Sequence, residues 1–119
     1  MLLYITLGAH DLKASTKFYD AVLKPLGYTR LSDGETSLGY GEKGVQLWLG
    51  ATKKPVKADM ESGFVAPDRK AVDAFHAAAL KTGGADNGKP GVRADYGPKY
   101  YAAFVIDPDG YRIEAYCGK

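Results

Sequence analysis

Two carboxylates, Glu61 and Glu114, are the residues whose type and placement could do chemistry in this chain. Facing each other in a dry cleft they would repel. One pKa would rise, and the pair could serve as a general acid and base. They could equally meet a cationic ligand, or be satisfied by Arg112. Tyr4, Trp48, Tyr101 and Tyr116 could line a pocket around them, and Arg93 and Tyr96, in an arm rich in glycine and proline, could close over a ligand. The plain alternative is that the carboxylates are solvated strand residues and that the aromatics pack a sheet. His10 falls in a loop and His76 on a helix, so both read as surface or packing residues. Cys117, the lone cysteine, reads as an inert strand residue and excludes an internal disulfide. The chain holds no G-x-S-x-G, P-loop, C-x-x-C or H-E-x-x-H. Gly39-Tyr40-Gly41-Glu42-Lys43-Gly44 matches G-x-G-x-x-G in letters only. It lies between two strands with no helix opening at its end, so it reads as a hairpin turn.

The elements that must position these residues follow from local signals. In Asp107-Pro108-Asp109-Gly110, proline presets φ and glycine tolerates φ > 0, so the chain reverses there. Strands over 100–106 and 111–116 then form a hairpin. Earlier, 2–8 alternates as a strand and Asp11 caps a helix running to about Leu23, with Ala14, Phe18, Val22 and Leu26 as its apolar stripe. Pro25 and Gly27 end that helix, and short strands follow at 28–31, 36–40 and 45–49. A connector spans 51–59, and 60–66 returns as a strand. A second helix starts at Pro67-Asp68-Arg69, buries Val72, Phe75, Ala79 and Leu80, and stops at Gly83-Gly84. The arm 85–99 reads as a connection into the hairpin.

The two halves superpose when one is slid by 57 positions, which sets Asp11 on Asp68, Phe18 on Phe75 and Gly27 on Gly84. The last strands match at a slide of 66, placing Leu47 on Ile113 and Trp48 on Glu114. The expected architecture is therefore α+β: two βαβββ modules forming a cupped mixed sheet with helices on the outer face. Module one covers about 1–50 and module two about 60–119, within one domain of 119 residues. Strand alternation leaves Tyr4, Trp48, Glu61, Arg112 and Glu114 on the side away from the helices.

Composition excludes several classes. An apolar fraction of 45% supports a real core, and a net charge of +2 without a basic run argues against nucleic acid. Lys53, Lys54 and Lys57 around Pro55 read as a solvated linker. No stretch reaches membrane-spanning length and Met1–Leu7 lacks the form of a secretion signal, so no membrane partner and a cytoplasmic location are expected.

On these residues the chain resembles the vicinal-oxygen-chelate superfamily of glyoxalases, bleomycin-resistance proteins, fosfomycin-resistance enzymes and extradiol dioxygenases. Both βαβββ halves, Phe18-Tyr19 with Leu26-Gly27, the Asp107–Gly110 turn and Ile113-Glu114 carry the likeness. Ala66-Pro67-Asp68-Arg69, Phe75-His76 and Tyr100-Tyr101-Ala102-Ala103-Phe104 are similar to a small bacterial glyoxalase-like branch. The resemblance implies a divalent metal (Mn, Fe, Ni or Zn) in the cleft, with ligands from the first and last strands of each half. Those positions here are Tyr4, Trp48, Glu61 and Glu114, of which Glu114 alone is an unaltered family ligand. Three readings follow. The leading one is a small-molecule binding protein with a degraded metal site and no cofactor. The second is a metal-dependent lyase or dioxygenase using Glu114 and Glu61, and the third keeps the fold for structural or interaction purposes. The resemblance also implies a homodimer.

Overall fold

The computed structural model describes residues 1–56 and 59–119; Lys57 and Ala58, in the expected connector, lie outside the described residues. The first half contains β1 (Ile5–Ala9), α1 (Leu12–Leu23), a 3-10 turn at Lys24–Leu26, β2 (Thr29–Asp33), β3 (Ser37–Gly41) and β4 (Val45–Ala51). The second contains β5 (Glu61–Val65), α2 (Arg69–Lys81), β6 (Ala85–Val92), β7 (Tyr101–Ile106) and β8 (Arg112–Cys117). Each half builds a four-stranded mixed sheet, ordered β1-β4-β3-β2 and β5-β8-β7-β6. In both, the first and last strands run parallel and the remaining neighbours antiparallel. The helices pack on each other and the sheets lie against them. No helix among the described residues is long and apolar enough to cross a membrane.

The helix starts follow from their caps. Asp11 accepts from the Ala14 amide at 3.1 Å and Asp68 from the Ala71 amide at 2.8 Å, each satisfying an amide that has no partner within its own helix. The buried stripes are wider than apolar spacing alone suggests. In α1, Ser15, Phe18, Tyr19, Val22 and Leu23 are buried, so the polar-tipped Tyr19 belongs to the core while Ala14 lies only at its margin. In α2, Ala71, Val72, Phe75, His76 and Ala79 are buried. Leu80 is 49% exposed, contrary to expectation, because the helix turns the His76 side inward, where Nε2 meets Asp86 Oδ1 at 2.8 Å.

Two further strands depart from the sequence reading. The ladder between β1 and β4 begins only at Ile5 opposite Leu47, and Leu2 and Leu3 remain about three-quarters exposed at 76% and 77%. Alternation is a property of one strand, whereas a ladder needs a neighbour. The arm 85–99 is not wholly a connection, since its first part is β6, paired to β7 with two register shifts at Asp86/Gly88 and Gly88/Gly91. Glycine is required at position 88, where φ is 154° and a β-carbon would lie 2.9 Å from Phe104 Cδ1.

The Asp107–Gly110 turn closes the β7–β8 hairpin and also joins the two halves. Asp107 is 4% exposed; its Oδ2 accepts from the Tyr19 hydroxyl at 2.6 Å, and its Oδ1 accepts from the amides of Asp109 and Tyr111, both at 2.9 Å. Asp109 accepts from the His10 amide at 3.1 Å and the Ser15 hydroxyl at 3.2 Å. The Tyr111 hydroxyl donates to the Gly8 carbonyl at 3.0 Å. Burial raises the Asp107 pKa above its ordinary value, against the hydrogen bonds that favour its charge. Burial, with the Asp107 charge beside it, pushes the Tyr19 phenol well up.

Candidate functional site

The face of the second sheet turned away from α2 collects most of the expected site residues. Along β8, Ile113, Ala115 and Cys117 are buried, whereas Arg112, Glu114 and Tyr116 point the other way. The antiparallel register sets Ala102 opposite Tyr116, Phe104 opposite Glu114 and Ile106 opposite Arg112. On the parallel side Gly63 lies opposite Glu114 and Glu61 opposite Arg112. Glu61 is exposed and Glu114 half-buried.

Tyr100, which the sequence reading did not assign to the site, organises this face. It precedes β7 and reaches across the small Ala102 to donate its hydroxyl to Glu114 Oε2 at 2.6 Å. Its ring lies 4.3 Å from that of Tyr116 and 5.2 Å from that of Tyr96, so three tyrosines form one array. The bond to Glu114, more than the partial burial, pushes the Tyr100 pKa up to about 12. Phe104 was likewise missed. Arg93 folds over it, its guanidinium carbon 5.2 Å from the ring centroid, and donates to the Lys89 carbonyl at 2.6 Å and the Gly91 carbonyl at 2.9 Å. A signal for both existed: counting back from the hairpin turn puts residues 100, 102 and 104 on the face of Glu114.

Tyr101 sits on the opposite face from the one expected for a ligand-lining residue. It is paired with Cys117, its hydroxyl donates to Asp73 of α2 at 2.6 Å, and Arg69 lies 4.9 Å over its ring. Trp48 lies on the first sheet, opposite Thr6 and Gly39, with Cζ3 close over Gly39. Arg112 donates to the Asp59 carbonyl at 2.7 Å.

A cleft of about 250 Å³ opens beside this face, between the N-terminal segment and β5. Tyr4, Tyr28, Leu47, Gly63, Phe64 and Val65 are among its walls, so Tyr4 lies on a different cleft from the one that Glu114 faces. Gly63 borders both, because a β-carbon there would sit 3.5 Å from Glu114 Oε1.

Comparison with known proteins decides the lineage: the glyoxalase/bleomycin resistance protein/dioxygenase superfamily matches residues 2–115. The chain belongs to that superfamily. Among solved structures it is similar to a glyoxalase/bleomycin resistance protein from Albidiferax ferrireducens T118, with 31% identity, a TM-score of 0.84 and 96% of each chain covered. A glyoxalase-related enzyme from Fulvimarina pelagi shares the fold at 20% identity and a TM-score of 0.75, covering 98% of this chain and 87% of that one. The fosfomycin resistance protein FosX from Mesorhizobium loti does so at 15% identity and a TM-score of 0.73, covering 100% of this chain and 92% of that one. No curated protein matches the chain.

Members of the superfamily often use a divalent metal, so the four corresponding positions can be tested for fit. Trp48 offers no lone pair to a metal. Glu114 already has Oε2 engaged by Tyr100, and Glu61 is exposed opposite Arg112. Tyr4 is 49% exposed on the wall of the neighbouring cleft. No three His, Cys, Asp or Glu side chains converge among the described residues. With no imidazole in the set, these donors do not fit a zinc or iron centre.

Proposed function

We propose that this superfamily member, one domain over 1–119, binds a small molecule at the second-sheet face without a metal, its ancestral metal site having degraded. The observation that carries this reading is the Tyr100–Glu114 hydrogen bond set within the Tyr96–Tyr100–Tyr116 array. An array of rings offers stacking area at low entropic cost, and a half-buried carboxylate fixes orientation. In this reading Glu114 and Tyr116 contact the ligand, Arg93 and Tyr96 border it, and Glu61 and Arg112 lie at its margin. As a companion proposal, the protein is a cytoplasmic homodimer.

Elemental analysis of the purified protein, repeated after dialysis against Mn, Fe, Ni and Zn, tests the reading together with a thermal-shift ligand screen. The expected result is no stoichiometric retained metal, with ligand-induced stabilisation that weakens in Tyr116→Ala. A retained metal that disappears in Glu114→Ala would overturn the reading in favour of a metal-dependent lyase or dioxygenase.

A further inference from the structure

The two oxygens of Glu114 differ. Oε2 is held by the Tyr100 hydroxyl at 2.6 Å, whereas Oε1 accepts no hydrogen bond among the described residues and faces the space over Gly63. That space is open because Gly63 has no side chain, and Gly63 itself also lines the neighbouring cleft beside β5. The charges around it are asymmetric. Arg93 is tied to the Lys89 and Gly91 carbonyls on the far, β6 side of Phe104. Arg112, opposite Glu61 in the β5–β8 ladder, is tied to the Asp59 carbonyl. Neither guanidinium is within salt-bridge distance of Glu114 among the described residues.

We infer that the ligand is an organic cation with an apolar body: an ammonium or amidinium group donates to Glu114 Oε1 over Gly63, while the body lies against the Tyr100 and Tyr116 rings. This rests on the small-molecule reading above and specifies its ligand class. A carboxylate is acceptor-only, so it selects donors. Electron-rich ring faces attract a cation within about 6 Å of their centroids. The Tyr100 bond adds selectivity by holding Oε2, so one oxygen is left to meet the ligand. A neutral isostere would form a weaker bond to Oε1, and an anion would be repelled.

The test is calorimetry with three matched probes, phenethylamine, phenethyl alcohol and phenylpropionate, on the full-length protein. Phenethylamine should bind at least about tenfold more tightly than the alcohol, as expected when a hydrogen bond to a charged group replaces a neutral one. Phenylpropionate should not bind. Glu114→Gln should remove the preference for the amine while leaving weak aromatic binding. Gly63→Val, which crowds Oε1 without touching Tyr100, should do the same and guards against misfolding of the first variant. Equal or tighter binding of the alcohol or the acid, lost in Tyr116→Ala, would overturn the cation class and leave the small-molecule reading standing. Amine binding unchanged in both Glu114→Gln and Gly63→Val would also overturn the class. No binding of any probe would overturn both.

Discussion

The β7–β8 hairpin carries the carboxylates of two tyrosine–carboxylate pairs of equal length, and the pairs serve different ends. Tyr19 donates to Asp107 at 2.6 Å, and Tyr100 donates to Glu114 at 2.6 Å. Asp107 is buried with both oxygens engaged, between two halves of the fold. Glu114 is half-buried, with one oxygen engaged and the other facing open space. The bond is the same and the surroundings differ. A carboxylate whose acceptor capacity is spent within the protein holds structure, and one with capacity to spare can hold a ligand.

Breaking the buried pair should have the largest effect. Asp107→Ala strands the Tyr19 hydroxyl and two amides, and should cost about 3 kcal/mol in denaturant unfolding. Tyr19→Phe removes the donor alone and should cost about 1 kcal/mol. A loss for Asp107→Ala no larger than that of a surface substitution would dissolve the contrast.

The pH response of the buried pair comes next. Asp107 has a raised folded pKa, so the native state holds its proton more tightly than the unfolded chain does. Its contribution is fully present below the ordinary aspartate value of about 4 and is lost as pH rises through the folded pKa. Wild-type stability minus that of Asp107→Asn should therefore fall as pH rises above about 4. The exposed Asp86, whose pKa the His76 hydrogen bond lowers, should act in the opposite sense. Its contribution is present above the unfolded value and is lost as pH falls through the folded one, so Asp86→Asn should narrow its deficit in acid.

At the open pair the effects should be spectroscopic more than energetic. Tyr100→Phe should change stability by less than about 1 kcal/mol, since both groups are solvent-accessible. In Glu114→Gln the Tyr100 phenol should ionise below its wild-type value of about 12, as read by ultraviolet titration against Tyr100→Phe. An unmoved titration would mean that the hydrogen bond does not set the Tyr100 pKa.

Chain-local chemistry is legible without a structure because its causes lie within a few residues. Asp11 and Asp68 cap helices in their own first turns, Gly110 takes φ of 97° in its own turn, and alternation along β8 separates Glu114 from Ile113. The internal repeat extended that reach, since it set Trp48 at the place in the first half that Glu114 takes in the second. Partners distant in sequence were decided by the tertiary structure. Tyr19 enters the core because Asp107, 88 residues away, waits for its hydroxyl. His76 turns inward toward Asp86, and β6 forms from a glycine-rich arm because β7 offers a ladder with room for bulges. Tyr100 and Tyr101 are adjacent and alike in type, yet one meets Glu114 and the other Asp73. Composition cannot separate two neighbouring tyrosines; the hairpin register does, because a shift of one residue moves a side chain to the opposite face of the sheet.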